Sequence, residues 1–280
     1  MTELATGLFK GMDYDSYAAL PAVRSSHLKG IERSPAHMRE NMLDQKETQA
    51  MVIGRALHVA LLEPGAFHRQ YVSAPKLDRR TNAGKAEWAE FQAEHAGKTV
   101  LTQDEIGECM ALARAAHGHP DAARLCNELG LNEATLVWKE EALGLYGKCR
   151  LDRLTTIDGY STIVDFKSTR DASPLRFGAQ AAQLGYHMQA AWYLRGADAI
   201  SPVPRRFVFV ALEKEAPHAV ACYELDGPFL ADGQRLVEQA LLAHKNATES
   251  GVWPGYPTGI KTLRAPGWLR PYKDEDDTDE

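Results

Sequence analysis

The chain has 280 residues, 44% hydrophobic and 25% charged, the composition of a folded globular protein rather than a disordered one. Its longest apolar stretch, Ala56 to Leu62, contains His58 and is far short of the roughly 20 residues a membrane helix needs, and the first residues lack a basic start and an apolar signal core, so a cytoplasmic protein with no membrane partner is expected. The net charge of -6 argues against a polyanionic partner, yet the last eight residues, KDEDDTDE, carry -5 of it, which leaves only -1 on residues 1–272 and room for a local basic groove.

In chain order, Ser25 and Ser26 precede HLKGIER as an N-cap and short helix, and Ser34-Pro35 opens a second. From about Glu47 to Leu62 the apolar positions recur at helical spacing, placing His58 on a helix that Glu63-Pro64-Gly65 ends. Residues 75–85, PKLDRRTNAGK, set four basic side chains against one acid, and Asn82 and Gly84 favour an irregular basic loop. Thr102 and Glu105 have capping-box spacing and start a helix to about Ala116, and another follows His119-Pro120 and ends near Gly130. His117 and His119 could pass for a ligand pair, but beside Pro120 they read as a helix end.

The texture then changes to strands at 133–141, 145–155 and 160–167, with Asp158-Gly159 a hairpin turn signal. A helix over about 179–195, strands near 206–213 and 218–225 and a long helix over about 228–249 complete the pattern. The expected fold class is α/β, one domain over residues 1–272 with a helical N-terminal part at about 20–130 and a core at about 131–250, followed by an acidic disordered tail at 273–280. Cys109, Cys126, Cys149 and Cys222 contain no C-x-x-C pair and read as buried free thiols.

Chemistry concentrates in GKCRLDRLTTIDGYSTIVDFKST. A hairpin at Asp158-Gly159 sets Asp152 and Asp165 on adjacent strands, and strand alternation puts Asp165 and Lys167 on one face. Two carboxylates and a lysine then converge in a sheet, where ionised groups are costly unless compensated. A divalent cation compensates both acids, and hard oxygen ligands with open positions suit Mg²⁺. Taken singly, Asp152 with Arg153 could be a surface ion pair, Asp165 and Lys167 a solvated strand end, His58 a core histidine, and Gln189 and Tyr193 a packing face.

As an ordered set, these residues resemble the PD-(D/E)XK nuclease superfamily. Asp152, a turn, then Asp165-Phe166-Lys167 matches its signature, Gly54 to His58 looks like the Gly-x-x-x-His motif of the RecB-like branch, and Gln189 to Tyr193 looks like its Gln-x-x-x-Tyr motif. Most of residues 20–260 is similar to the RecE-type (exonuclease VIII-like) phage recombination exonucleases, with lambda exonuclease as a more distant relative, through SSHLKGIERSPAH, GRALHVALLEP, DRRTNAGK and VDFKST.

The resemblance implies a central mixed sheet flanked by helices. It implies Asp152 and Asp165 as main metal ligands, with the Phe166 carbonyl and His58 as further ligands and Glu133 or Glu140 as alternatives to His58. Lys167 would be the catalytic lysine, oriented with the substrate phosphate by Gln189 and Tyr193. Ser26 and Ser168 would contact DNA phosphates, and Arg79, Arg80 and Lys85 would grip the duplex. The implied activity is a Mg²⁺-dependent exonuclease, with Mn²⁺ as a substitute, acting 5′ to 3′ on double-stranded DNA ends. It would release 5′-mononucleotides and leave 3′ overhangs for recombination, as a homo-oligomeric ring (trimer or tetramer) with a single-strand annealing recombinase as partner. Only Cys222 follows the Gln-x-x-x-Tyr helix, so no iron–sulfur cluster is expected. The alternatives are a structure-selective or restriction-like endonuclease on the same core, and a catalytically silent DNA-binding adaptor.

Overall fold

The computed structural model describes residues 3–43 and 47–265; the expected acidic tail at 273–280 lies outside the described residues. Among the described residues eight strands form, β1 (Gly7–Phe9), β2 (Tyr71–Ser73), β3 (Thr99–Leu101), β4 (Gly130–Glu140), β5 (Leu145–Ile157), β6 (Tyr160–Thr169), β7 (Arg205–Glu213) and β8 (Val220–Glu224). The helices preceding β4 are α1 (Tyr14–Ala19), α2 (Ser25–Leu28), α3 (Pro35–Leu43), α4 (Gln49–Leu62), α5 (Pro64–Gln70), α6 (Asn82–Glu94), α7 (Gln103–Gly118) and α8 (Pro120–Asn127). Those after β6 are α9 (Pro174–Gln183), α10 (Tyr186–Ile200) and α11 (Gly227–Ser250). Among the described residues no helix is long and apolar enough to cross a membrane.

Six strands make one sheet in the order β1-β4-β5-β6-β7-β8, antiparallel except where β6 runs parallel to β7. Strand alternation splits its residues between two cores. Phe207 and Phe209 join Leu136, Trp138, Leu151 and Ile163 against Leu28, Met188, Trp192 and Val237, from α2, α10 and α11. Val208, Val210 and Leu212 join Val164 and Phe166 against Leu57, Leu61, Leu112 and Leu125, from α4, α7 and α8. This is the mixed sheet flanked by helices expected from the sequence.

The β5–β6 hairpin turns at Asp158 (φ 51°) and Gly159 (φ 82°), the two left-handed residues a type I′ turn requires. Thr102 caps α7 with a reciprocal box to Glu105, and His119 caps α8 through the Ala122 N–H at 3.3 Å.

Several elements differ from the sequence pattern. The single helix expected over 179–195 is two, α9 and α10, broken at Gly185 with φ 65°. The end of the expected basic loop, residues 82–85, is helical: Thr81 accepts from the Gly84 N–H at 3.0 Å and so starts α6, with Lys85 in its first turn. Gly84 is required there because an added Cβ would run into the Asp78 carbonyl. The helical N-terminal part also contains a two-stranded parallel sheet of β2 and β3, and β1 adds an edge strand to the main sheet. Cys109, Cys126 and Cys149 are buried free thiols, while Cys222 is a free thiol that is half-exposed.

Candidate active site

Two breaks in the regular sheet build the site. The β5–β6 ladder stops at Arg153↔Val164, and one residue further on the Asp152 carboxylate, rather than a backbone carbonyl, accepts the Phe166 N–H at 2.9 Å. On the other flank, β4 and β5 pair from Glu140↔Leu145 to Ala134↔Leu151 and resume at Asn132↔Arg153. The skipped residue, Glu133, has φ 50°, a conformation that a non-glycine residue rarely adopts and that local sequence does not call for here. Leu151 and Leu154, three residues apart, both pack into the same core, so strict alternation also fails at Asp152–Arg153. Such irregularities re-aim side chains beside functional sites.

The result is a compact group. His58, on α4, has Nε2 at 3.3 Å from Asp152 Oδ2 and Nδ1 at 3.3 Å from Glu133 Oε1. One ligand atom from each of His58, Glu133 and Asp152 lies within 4.8 Å of the other two. Arg150, two residues before Asp152 on β5, holds Glu133 with Nε–Oε2 at 2.6 Å and donates to the Met12 carbonyl at 2.6 Å.

Asp165, only 1% exposed, faces α10, where Oδ1 accepts from Gln189 Nε2 at 2.5 Å. Its Oδ2 lies 2.5 Å from Lys167 Nζ as a tight, buried ion pair. The donor set of one imidazole and three carboxylates, His58, Glu133, Asp152 and the neighbouring Asp165, fits a divalent cation.

Charge states point the same way. Burial opposes a charge on His58, but Asp152 and Glu133 outweigh it and lift the imidazole to about 9. Burial raises Asp152 to about 7, with His58 holding it down and Asp165 pushing it up. Burial would raise Glu133, yet His58 and Arg150 bring it below the ordinary glutamate range. Burial also opposes the Lys167 charge, and Asp165 and Asp152 more than offset this, so Lys167 is held as an ammonium. In the metal-free arrangement, protons on His58 and Asp152 provide the positive charge that a cation would supply.

The group opens into a cleft of about 520 Å³ whose walls include Ser26, His58, Asp152, Phe166, Lys167, Ser168, Gln189 and Tyr193. The Tyr193 hydroxyl makes no hydrogen bond to Lys167 among the described residues. Five basic side chains (Arg24, Lys29, Arg55, Arg150 and Lys167) line this cleft against two acids, Glu133 and Asp152, so it is locally basic in a chain of net charge -6.

Arg79, Arg80 and Lys85 do not line this cleft: Arg79 stacks on Trp88 at 4.4 Å, Arg80 pairs with Asp78, and all three are exposed. Glu140 is remote from the group, bound to Arg195 at 2.6 Å and to the Trp138 indole N–H at 2.8 Å, which leaves Glu133 as the glutamate beside His58. Arg153 is no surface partner of Asp152; it is buried and donates to the Leu125 carbonyl at 2.8 Å. Arg150, Lys29 and Tyr186 were not anticipated. Arg150 had a readable signal, two residues from Asp152 and hence on its face, and Lys29 stands one helical turn after Ser26; Tyr186 had none.

A family model described as a PDDEXK-like domain of unknown function, DUF3799, matches residues 24–266. No curated protein matches the sequence. Among solved structures, a candidate exonuclease from Eubacterium rectale superposes with a TM-score of 0.57 at 13% identity, covering 92% of this chain and 96% of its own. The protein SSO0001 (TM-score 0.32, 16% identity, 71% of this chain and 88% of its own) and protein VC1899 from Vibrio cholerae (0.23, 11%, 72% and 52%) overlap less and carry no weight. At 13% identity the first likeness speaks to the fold alone. Family and fold together support a nuclease, and nucleases of this fold generally use divalent metals, for which a possible acidic site is present. The chain belongs to the PDDEXK-like family DUF3799 and has the fold of the PD-(D/E)XK nucleases.

Proposed function

We propose that this protein is a Mg²⁺-dependent exonuclease that degrades linear double-stranded DNA from its ends, 5′ to 3′, releasing 5′-mononucleotides and leaving 3′ single-stranded overhangs. The observation that carries the reading is the His58–Glu133–Asp152 group beside Asp165–Lys167 at the floor of a basic cleft. His58, Glu133, Asp152 and Asp165, with the Phe166 carbonyl, would hold the cation. When bound, it activates water and neutralises charge on the phosphoryl oxygens.

The chain's own residues do the rest. Gln189 fixes one oxygen of Asp165 and so turns the other toward Lys167. Lys167, an ammonium in a water-poor corner, is placed to donate to a phosphate oxygen or to the attacking water. Arg150 orients Glu133. Ser26 and Ser168 would contact the strand, Tyr193 would shape the cleft floor, and Arg79, Arg80 and Lys85 would meet duplex beyond the cleft. Polarity, the ring of subunits, the annealing partner, a cytoplasmic location and one domain over 1–272 belong to this proposal through the sequence resemblance.

Digestion of end-labelled linear duplex with and without Mg²⁺, beside a covalently closed circle, tests it. The 5′ label should leave first, only with metal, and the circle should survive. Earlier release of a 3′ label would overturn the polarity, and cutting of the circle would favour an endonuclease.

A further inference from the structure

The cations of the active-site cleft are not equivalent. Lys167 pairs with Asp165, Arg150 with Glu133 and Arg55 with Glu47. Arg24 donates to His27 Nε2 at 3.0 Å. Lys29, by contrast, has no carboxylate within ion-pairing distance and no hydrogen bond from its ammonium among the described residues, although it is partly buried. Its stem lies against Gly185, whose added Cβ would come to 3.4 Å from Lys29 Cε. Its Nζ stands 5.7 Å from the centre of the Tyr186 ring, the same ring over which Lys167 Nζ stands at 4.9 Å.

Two ammonium groups thus share one aromatic ring at the start of α10. That helix has no side-chain cap and no acid in its first turn, so its own N–H groups add positive potential rather than relieve it. Asp165, the acid paired with Lys167, is already engaged by Lys167 and Gln189. Burial and the charge of Lys167 depress Lys29 to about 8, against the smaller opposing pull of Asp165 and Glu32. A protein keeps an uncompensated cation in a cleft wall at a cost, and an anionic ligand removes that cost.

We infer that Lys29, with Ser26 beside it, forms a second phosphate subsite in the cleft, taking the DNA phosphate next to the scissile one. This rests on the nuclease reading above. Lys29 here is a positioning residue: it would hold the strand in register while Lys167 and the acidic group address the reacting phosphate.

The test measures binding of a blunt linear duplex to the full-length chain by fluorescence anisotropy, with Ca²⁺ in place of Mg²⁺, over roughly 50–200 mM KCl. Wild type, Lys29→Met, which keeps the apolar stem over Gly185, and Lys29→Arg, which keeps the charge, are compared. Lys29→Met should weaken binding roughly tenfold and lower the slope of log affinity against log salt by about one. Lys29→Arg should retain the slope, and all three should take up metal equally. A wild-type slope in Lys29→Met, or the same loss of slope in Lys29→Arg as in Lys29→Met, would overturn the subsite while leaving the nuclease reading intact if wild type still digests duplex. A wild type that neither binds nor digests duplex with metal would overturn both.

Discussion

Two charged depressions lie at different ends of the sheet, and they are built differently. The distal one, about 310 Å³, is lined by Asp121, Arg124, Asp158, Arg206 and Glu224. There each arginine has its own acid: Arg124 Nη2 meets Asp158 Oδ1 at 2.6 Å and Arg206 Nε meets Glu224 Oε1 at 2.7 Å. The active-site cleft has the same kinds of side chain but an unfinished balance, with His58 and Asp152 both shifted toward their protonated forms and a cation, Lys29, that forms no ion pair among the described residues. Backbone strain separates them too. Asp158 and Glu133 have nearly the same positive φ, 51° and 50°. At Asp158 a hairpin turn requires it, whereas at Glu133, inside a strand, what it achieves is the aim of a carboxylate at His58. Charge that has been left for a ligand to complete, rather than charge itself, marks the functional end.

The largest expected effect breaks this contrast at its deepest point. Asp152→Asn keeps the shape of the side chain and an acceptor for the Phe166 N–H but removes the charge between His58 and the cation. Metal-dependent digestion of linear duplex should fall by about 10³-fold or more, the scale of losing a group that stabilises transition-state charge. Digestion within tenfold of wild type would remove Asp152 from the catalytic assignment.

One step out, Arg150→Ala frees Glu133 from its 2.6 Å partner and drops a bond to the Met12 carbonyl. Residues that orient ligands typically change metal affinity by about 10- to 100-fold when removed, and calorimetric titration with Mn²⁺ should find a loss in that range. An unchanged affinity would mean Glu133 is not a ligand, or needs no help to be one.

The protonation pattern supplies a third, smaller effect with a definite sign. His58 and Asp152 are both raised in the metal-free protein, from 6.5 to about 9 and from 3.8 to about 7. Across about pH 4 to 9 these two groups hold more protons in the native metal-free state than in the unfolded chain, so their contribution to stability falls as pH rises, first through Asp152 and then through His58. A cation needs both groups deprotonated, so its affinity runs the opposite way and should rise by roughly tenfold or more per pH unit from pH 6 to 8, with proton release. Thermal melts in chelator and in Mg²⁺ at pH 6 and pH 9 should diverge more at pH 9; equal divergence would mean these two groups do not bind the metal.

What could be read from the sequence follows from where the determinants lie. The β5–β6 hairpin was legible because Asp158-Gly159 states its turn locally, and α7 because Thr102 and Glu105 cap it. The chemistry of His58, Asp152, Asp165, Lys167, Gln189 and Tyr193 was legible as an ordered set of residue types, and all but Asp165, which lies buried beneath, line the cleft. The break between α9 and α10 was not, because apolar spacing runs on through a lone Gly185. Nor were β1, β2 and β3, three-residue strands whose existence depends on partners far along the chain. The choice of Glu133 over Glu140 was illegible for a deeper reason: both sit on β4, and what separates them is a backbone distortion at Glu133 and the claim of Arg195 on Glu140, neither of which has a local sequence signature.

The smallest effect tests the other side of the comparison. Arg124 and Asp158 are both about half-exposed, and exposed pairs of this kind contribute little because water screens them. Asp158→Asn leaves a residue that tolerates the left-handed turn, so the hairpin should survive loss of the charge. Arg124→Ala, Asp158→Asn and the double variant should therefore digest duplex within about twofold of wild type and bind metal unchanged, since a completed ion pair offers nothing for a substrate to complete. A loss beyond tenfold in the double variant, with the fold intact by circular dichroism, would place the distal depression in the DNA path. Completeness of charge pairing would then fail as the property that distinguishes the two ends of this sheet.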